Sequence, residues 1–280
     1  MGGTSQFIMD TVRRADHDRH LSVLYAPQDK RDALFALYAF NAEIATVRDR
    51  IREALPGEVR LQWWRDTLGA PAGETETGQP IADALKPAIS QYSLPLSAFD
   101  NYLEARIFDL YNDPMPSRTD LEGYCGETAS ALIQLAAMVL DPAEAPRFAE
   151  LAGRAGCAQA MVGLLLLLPI HRARGQCYVP ADILTAVGSS PQEFLSGDGG
   201  QGALNAIDAM IALAHEHLAA FESTAATLPA SLRPAFLPLA LTGALLGKMS
   251  GNQRALMTGG IKLSLARRHW LLWRRAMHGW

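Results

Sequence analysis

The sequence lacks an excess of basic residues, a metal-type spacing of cysteines and a signal-peptide core, and each absence excludes a class of protein. A net charge of −4 and a pI near 6.0 argue against a nucleic-acid-binding domain, which usually carries a basic excess. The three cysteines, Cys125, Cys157 and Cys177, are expected to be reduced thiols rather than metal ligands. The N-terminal segment has neither a signal-peptide core nor the acid-poor character of an organelle presequence. A cytoplasmic protein is therefore expected.

Signals for β-strands are also scarce. Alanine and leucine recur throughout, whereas runs of β-branched residues are rare, so helix is the default for nearly every segment. Apolar spacing and the Gly and Pro breaks predict helices over 27–52, 56–68, 80–91, 95–110, 118–140, 144–169, 202–227, 231–249 and 261–278. No long linker divides the chain, and Pro71 to Gly78 is interpreted as a connection between helices. The sequence therefore predicts one all-α domain over residues 1–280.

The stretch from Ala158 to Pro180 joins an apolar helix to a basic turn. Ten residues, Met161 to Ile170, carry no charge, which predicts a fully buried helix. Ten residues are too few to cross a bilayer, because a spanning helix needs roughly twenty. The helix is therefore expected to be central core or the wall of an apolar cavity. After it the chain turns basic at RGQCYVP and stops at Pro180.

Three segments in this order resemble signature regions of the squalene/phytoene synthase superfamily. LYAFNAEIATVRD resembles its first aspartate-rich signature, YCGETAS resembles a middle tyrosine-containing segment, and RGQCYVP resembles the basic turn that follows the second signature. The resemblance implies an isoprenoid-synthase-type helical bundle with a central apolar cavity. The helices that contain Asp49 and Leu167 are expected to face each other across it.

The resemblance also identifies which carboxylates are missing. Ala45 and Thr46 stand where the superfamily has paired aspartates, and only Asp49 remains, whereas Leu167 and His171 replace both aspartates of the second signature. Catalytic relatives use these carboxylates to hold the Mg²⁺ that neutralises a diphosphate, and Mg²⁺ prefers octahedral oxygen ligation. His171 is no substitute, because imidazole is a poor Mg²⁺ ligand beside oxygen donors. A protein without catalytic residues, metal or cofactor is expected.

The middle segment and its flanks resemble a divergent branch, the mitochondrial complex I assembly factor of the squalene/phytoene synthase type and its bacterial counterparts. Glu127 within YCGETAS, the segment RIFDLYNDPMP and the later SSPQEF fit that branch. The resemblance implies a non-catalytic factor in respiratory complex I assembly, with a complex I subunit as its partner. Two alternatives stay open. One is a head-to-head prenyltransferase acting on farnesyl or geranylgeranyl diphosphate, with Asp109 and Asp113 as replacement ligands, and the other is a carrier of an isoprenoid or lipid.

Candidate cavity residues come from the same segments. They are Tyr38, Asn41, Ala45, Tyr124, Glu127, Gln159, Val162, Leu166 and His171. Asp49, which lies between Arg48 and Arg50, is interpreted as a surface ion-pair residue rather than a remnant metal ligand. His17 and His20 are interpreted as part of a solvated helix start rather than a metal site.

The last twenty residues, 261–280, form a basic, tryptophan-rich segment that is expected to be a C-terminal helix. It contains five Lys or Arg and no Asp or Glu, so it carries +5 while the rest of the chain carries −9. Its apolar residues recur at steps of three or four and predict one stripe: Leu263, Ala266, Trp270, Trp273, Met277 and Trp280. Trp270, Trp273, Arg268 and Arg275 are candidate contacts with a membrane protein or an anionic membrane, at the inner face of the cytoplasmic membrane. The alternative is a helix packed onto the bundle with its arginines in water.

Overall fold

The computed structural model describes residues 2–71, 77–197 and 199–280, and every regular element in these ranges is helical. The α-helices in chain order are α1 (Gly2–Ala15), α2 (His17–Leu24), α3 (Arg31–Ala45), α4 (Ala54–Gly69), α5 (Pro80–Gln91), α6 (Leu96–Ile107), α7 (Arg118–Cys125), α8 (Ala131–Leu140), α9 (Ala149–Leu166), α10 (Leu168–Ala173), α11 (Ala181–Ala186), α12 (Pro191–Ser196), α13 (Gln201–Thr224), α14 (Arg233–Phe236), α15 (Thr242–Met249), α16 (Gln253–Met257) and α17 (Leu265–His278). The all-α expectation is confirmed. Most of the predicted connection from Pro71 to Gly78 lies outside the described residues. None of the described helices is long and apolar enough to cross a membrane.

The core of the bundle is built around α3, α9 and α13. Ten of the fifteen residues of α3 are buried, because Ala, Leu and Phe occupy nearly every face of this helix. α9 packs along α13, the longest helix described, through small residues that let the two backbones approach. The cysteines Cys125, Cys157 and Cys177 are buried and unbridged within this packing. The core therefore surrounds the helices that carry the first and second signature segments.

Several predicted helices are shorter than expected, and the one predicted over 231–249 is divided into α14 and α15 by a 3₁₀ segment at Leu237–Leu241. The helix predicted over 27–52 is an α-helix only over Arg31–Ala45, with 3₁₀ turns at Gln28–Lys30 and Arg48–Arg50. Its end follows from Thr46, whose hydroxyl donates to the carbonyls of Ala42 and Glu43 at 3.1 and 3.0 Å and so competes with continued helix. At about 1.5 Å per residue the helix is about 22 Å long, not the ~38 Å that 26 residues imply.

The apolar stretch from Met161 to Ile170 is not one fully buried helix. It breaks at Leu167, because Pro169 lacks the N–H that would continue the helical hydrogen bonds and its ring clashes with the preceding turn. The break turns Leu167 and Ile170 outward, and both are about half exposed. Periodicity predicted the apolar character of the stretch but not the change of direction at the proline.

The first helix, α1, was not predicted, and α2 was predicted only as a helix start around His17 and His20. Asp16 caps α2, and its carboxylate accepts from the backbone N–H of Arg19 at 2.9 Å. His20 is buried and packs edge-on against Phe35, with ring centroids 5.6 Å apart, so the interpretation of His20 as part of a solvated helix start is wrong. The reason is that α1 and α2 fold back onto α3, which covers this histidine.

The predicted helix over 118–140 is continuous but contains a wider turn. Residues Gly126–Ser130 form a π-helical turn between α7 and α8. Gly156 of α9 lies directly against this turn, and a Cβ built at Gly156 would lie 2.2 Å from Ser130 Oγ and 2.4 Å from its backbone N. Only glycine fits at this crossing without a shift of the backbone.

We expect Gly156→Ala to destabilise the protein by about 2 kcal/mol or more, because the added methyl group would push α9 away from the turn. Gly153→Ala, in the same helix and with nothing within 4 Å of its built Cβ, is the matched control. It should be neutral or stabilising by up to about 1 kcal/mol, since alanine favours helix over glycine. Urea unfolding followed by circular dichroism measures both. Equal stability of the two variants would contradict the close-packing argument.

Candidate ligand-binding cavity

A cavity of about 420 Å³ lies between α2, α3, α9 and the segment 238–245. α3 contributes Asn41, Ala42, Ala45 and Thr46, and α9 contributes Gln159, Val162, Gly163 and Leu166. Within each helix these positions are spaced by one turn, so they share one face. The helices of the first and second signatures therefore do face each other across a cavity, and six of the nine candidate residues line it: Asn41, Ala45, Tyr124, Gln159, Val162 and Leu166.

The lining is mostly apolar, as expected, but it also carries charge. Leucines come from α9 and the 238–245 segment, whereas Asp16, Asp18, Arg19 and Arg106 bring charges. These charges come from α2 with its N-cap and from α6. The cavity therefore has an amphipathic lining.

Arg19 of α2 lies at the polar side of this cavity. Its guanidinium forms an ion pair with Asp16 at 2.5 Å and donates to Gln159 Oε1 at 3.3 Å. The same group lies over the ring of Tyr38, 5.7 Å from the centroid. Burial raises the pKa of Tyr38 to about 12. Tyr38 therefore packs against the guanidinium of Arg19. It does not itself line the cavity, contrary to the prediction.

Asp109 is the acceptor at the centre of a second polar cluster. Arg106 donates to its Oδ2 at 2.9 Å, and the hydroxyls of Tyr124 and Tyr178 donate to its Oδ1 at 2.8 and 2.6 Å. Arg106 also donates to the hydroxyl of Tyr102 at 3.1 Å. Burial alone would lower the pKa of Arg106, but Tyr102, Tyr124 and Asp109 together hold this pKa well above its usual value. Arg106 therefore stays a cation inside the protein.

A smaller cavity of about 170 Å³ adjoins the first and shares five lining residues with it: Ala45, Arg106, Tyr124, Leu164 and Leu167. Its other lining residues are Arg48, Asp49, Asp109, Ile170, His171, Arg174, Gln176 and Tyr178. The break after α9 turns Leu167 and Ile170 outward, and both side chains therefore line this smaller cavity.

His171, a candidate cavity residue, lines this smaller cavity rather than the larger one. Its ring packs against Tyr178 with centroids 4.6 Å apart. Burial lowers the pKa of His171 to about 4, and Arg174 acts in the same direction while Asp109 opposes it. The imidazole is therefore neutral at neutral pH.

The positions equated with metal-binding aspartates do not fit a magnesium site. Ala45 offers a methyl group, the Thr46 hydroxyl donates to carbonyls of its own helix, and Leu167 offers only carbon. Asp49 forms an ion pair with Arg174 at 2.6 Å, which agrees with its interpretation as an ion-pair residue, although the partner comes from the second signature segment. Mg²⁺ needs several oxygen ligands in octahedral geometry. No cluster of three metal-ligating side chains occurs among the described residues.

Two further candidates lie away from the cavities. Glu127 is exposed and lines neither cavity, because the π-helical turn directs its neighbours Thr128 and Ala129 inward instead. Asp113, named with Asp109 as a replacement ligand, is also exposed and lines neither cavity. Asp109 does line the smaller cavity, but its carboxylate is already occupied by three donors.

The C-terminal helix α17 packs on the bundle, as the alternative prediction has it. Arg267 and Arg274 are exposed, whereas Arg268 forms an ion pair with Asp18 and Arg275 lies 3.9 Å from Glu222, so these two face the protein. Trp270 and Trp273 are about half exposed. The helix therefore combines a packed face with an exposed apolar one.

Arg19, Arg106 and Tyr178 are functional candidates that sequence reasoning missed. Arg106 and Asp109 are three residues apart within one predicted helix, a spacing that indicates a possible ion pair. Tyr178 stands within the RGQCYVP turn that carried the resemblance. No comparable signal marks Arg19, because the predicted helix start around His17 and His20 was expected to be solvated.

A family model of squalene/phytoene synthase matches residues 12–274. The chain belongs to the squalene/phytoene synthase family. It is 29% identical over 235 residues to NADH dehydrogenase (ubiquinone) complex I, assembly factor 6 of Homo sapiens. This alignment covers 84% of this chain and 70% of that protein. It is 24% identical over 190 residues to the 15-cis-phytoene synthase of Synechococcus elongatus, covering 64% of this chain and 61% of that protein.

The fold of this chain resembles that of an enzyme of known structure. The squalene synthase HpnC from Alicyclobacillus acidocaldarius superposes with a TM-score of 0.76 at 19% identity, covering 90% of this chain and 95% of that structure. The predicted isoprenoid-synthase-type bundle is therefore confirmed, as is the resemblance to the assembly-factor branch.

We expect Asp109→Ala to destabilise the protein by about 3 to 5 kcal/mol, because it would leave Arg106 buried without its counter-ion. The side chains of Arg106 and Asp109 are 16% and 13% exposed, whereas that of Glu104, which pairs with Arg65, is 69% exposed. Glu104→Ala is therefore the control and should cost less than about 1 kcal/mol. Urea unfolding of both variants tests this, and a loss of similar size in both would argue against a buried ion pair.

The stability of the protein should also depend on pH through His171. The unfolded imidazole takes up a proton as the pH falls through about 6.5, whereas the folded one does so only at about 4. The stabilising contribution is therefore complete above pH ~6.5 and is lost as the pH falls towards ~4. The free energy of unfolding should fall by up to about 3 kcal/mol more in the wild type than in His171→Gln across this window. Parallel pH profiles of the two proteins would show that His171 is not held neutral.

Proposed function

We propose that this protein is a non-catalytic factor in the assembly of respiratory complex I. The non-catalytic part rests on one observation: each of the four carboxylates in the described lining of the two cavities is engaged by a cation or phenol of the chain itself. The pairs are Asp16 with Arg19, Asp18 with Arg268, Asp49 with Arg174, and Asp109 with Arg106, Tyr124 and Tyr178. A metal ion would have to displace these partners.

The charge of the cavity lining supports the same conclusion. Arg19 and Arg106 are balanced by Asp16 and Asp18 in the larger cavity, so a diphosphate with several negative charges would meet a nearly neutral wall. In the family's enzymes, Mg²⁺ supplies the charge that activates this leaving group. A chain that holds neither the metal nor a clear positive excess is poorly equipped to ionise an allylic diphosphate.

The assembly part of the proposal rests on similarity to proteins named for that role, among them the human assembly factor. The partner would be a complex I subunit. The proposal places the protein in the cytoplasm, with peripheral contact at the inner face of the cytoplasmic membrane.

A carrier of an isoprenoid or lipid is the second candidate, and the shape of the larger cavity favours it. A lining that combines leucines with polar and charged side chains suits an amphiphile with an apolar chain and a polar end. Such a protein should co-purify with a hydrophobic molecule that native mass spectrometry detects. Binding of this kind is compatible with assembly, since it requires no chemical step.

A deletion strain tests the proposal. We expect less assembled complex I and an unchanged squalene, hopanoid and carotenoid profile. Asp49→Asn, which keeps the side-chain shape but removes the carboxylate left in the first signature, should restore complex I as well as the wild-type gene does. A missing isoprenoid with normal complex I, or rescue of an isoprenoid by the wild type but not by Asp49→Asn, would show instead that the protein is a synthase.

A further inference from the structure

α17 is attached to the bundle along one face. Leu272 is fully buried, and Arg268 and Arg275 lie on the same side of the helix, four residues before it and three after. Ser264 caps the N-terminal end by accepting from the backbone N–H of Arg267. Trp280, just beyond the helix, packs edge-on against Phe221 with ring centroids 5.3 Å apart. Both ends of α17 are therefore held, and its orientation on the bundle is defined.

The opposite face is an apolar stripe that the bundle does not cover. Trp270, Trp273 and Met277 are 52%, 48% and 59% exposed, and they follow one another at steps of three and four residues. Leu265 at the start of the helix is also exposed, but it lies two turns before Leu272 and so on the packed side of the helix. Leu263 and Trp280, which the sequence pattern included in the stripe, also belong to the packed side. We call Trp270, Trp273 and Met277 the outer stripe.

Positive charge surrounds the outer stripe. Lys262, Arg267 and Arg274 are exposed, and the guanidinium of Arg274 lies over the ring of Trp270 at 5.5 Å from its centroid. No Asp or Glu occurs in the sequence after Glu222. The acidic residues that do approach α17, Asp18 and Glu222, are paired with Arg268 and Arg275 on the packed side. The outer face therefore presents tryptophan and arginine with no carboxylate of its own.

We propose that the outer stripe docks on an anionic lipid bilayer, with α17 lying in the plane of the surface. Tryptophan prefers the boundary between acyl chains and headgroups, and basic residues beside it are attracted to anionic lipid. The stripe from Trp270 to Met277 is about 10 Å long on a helix about 10 Å wide, so it offers on the order of 100 Å². A stable protein interface buries about 800 Å² on each partner, so this narrow stripe suits insertion into lipid better than a protein contact.

The packed side of α17 places the larger cavity close to such a surface. α17 packs on the 237–241 segment and on α2. Both line the cavity, the first with Pro238 and Leu241 and the second with Asp18 and Arg19. A bilayer bound at the outer stripe would therefore lie one helix away from the cavity. This proposal does not depend on the assembly function.

Flotation of the full-length protein with vesicles tests the proposal. The wild type should float with phosphatidylcholine vesicles that contain about 30% phosphatidylglycerol and much less with phosphatidylcholine alone. Trp270→Ala/Trp273→Ala should reduce the bound fraction about tenfold, and Arg267→Glu/Arg274→Glu should reduce it at low salt. The matched controls are Leu55→Ala/Val59→Ala, an exposed apolar pair on α4, and Arg52→Glu/Arg147→Glu, an exposed basic pair; both should bind like the wild type.

Circular dichroism should show that all variants keep the wild-type helix content. Failure of the wild type to float with anionic vesicles would overturn the proposal, as would equal flotation of the tryptophan variant. Sedimentation analysis without lipid covers the remaining occupant. A wild-type dimer that the tryptophan substitutions convert to a monomer would assign the outer stripe to a second copy of the chain instead of a membrane.

Discussion

The buried ion pair between Arg106 and Asp109 is the interaction on which the site depends. Moving two charges out of water costs several kcal/mol for each ion, and the attraction between them offsets this cost only if their remaining polar atoms also find partners. Here Tyr102, Tyr124 and Tyr178 supply partners for Asp109 and for the two terminal nitrogens of Arg106, whereas its buried Nε has none. Tyr102 in turn donates to Asn41 of α3 at 2.9 Å. The pair thereby connects α3, α6, α7 and the turn after α10, which are the elements that carry all three signature segments.

This arrangement determines the chemical character of the cavity lining. Carboxylates that hold a metal use their oxygens on the metal, whereas carboxylates that neutralise arginines use them on the protein itself. In this chain each described carboxylate of the lining pairs with an arginine, although Oδ1 of Asp18 has no hydrogen-bond partner. The charged aspartate and arginine side chains belong to the protein itself, so the polar part of the cavity lining forms on folding and does not require a bound metal.

The sequence predicted the fold class and the facing signature helices because apolar periodicity and three ordered motifs are local features of the chain. It did not predict α1, and it predicted only the start of α2; both helices pack on α3. The same limit applies to the site. Asn41, Gln159 and Val162 belong to recognised motifs and line the cavity. Arg19 lines it only because α2 folds back onto the bundle. Glu127 does not line it, and the π-helical turn that contains Glu127 was not predicted by any residue pattern.

Asp18 belongs to two structures at once. It lines the larger cavity and it binds Arg268 of the C-terminal helix. A molecule in the cavity that weakens this ion pair and a surface that pulls on α17 would therefore act on the same bond. Thermodynamic linkage requires their effects to be reciprocal, so that whatever factor the surface imposes on cavity affinity, cavity occupancy imposes on surface affinity. Through this one carboxylate, binding in the cavity would change how strongly α17 binds a surface, and binding at the surface would change the affinity of the cavity.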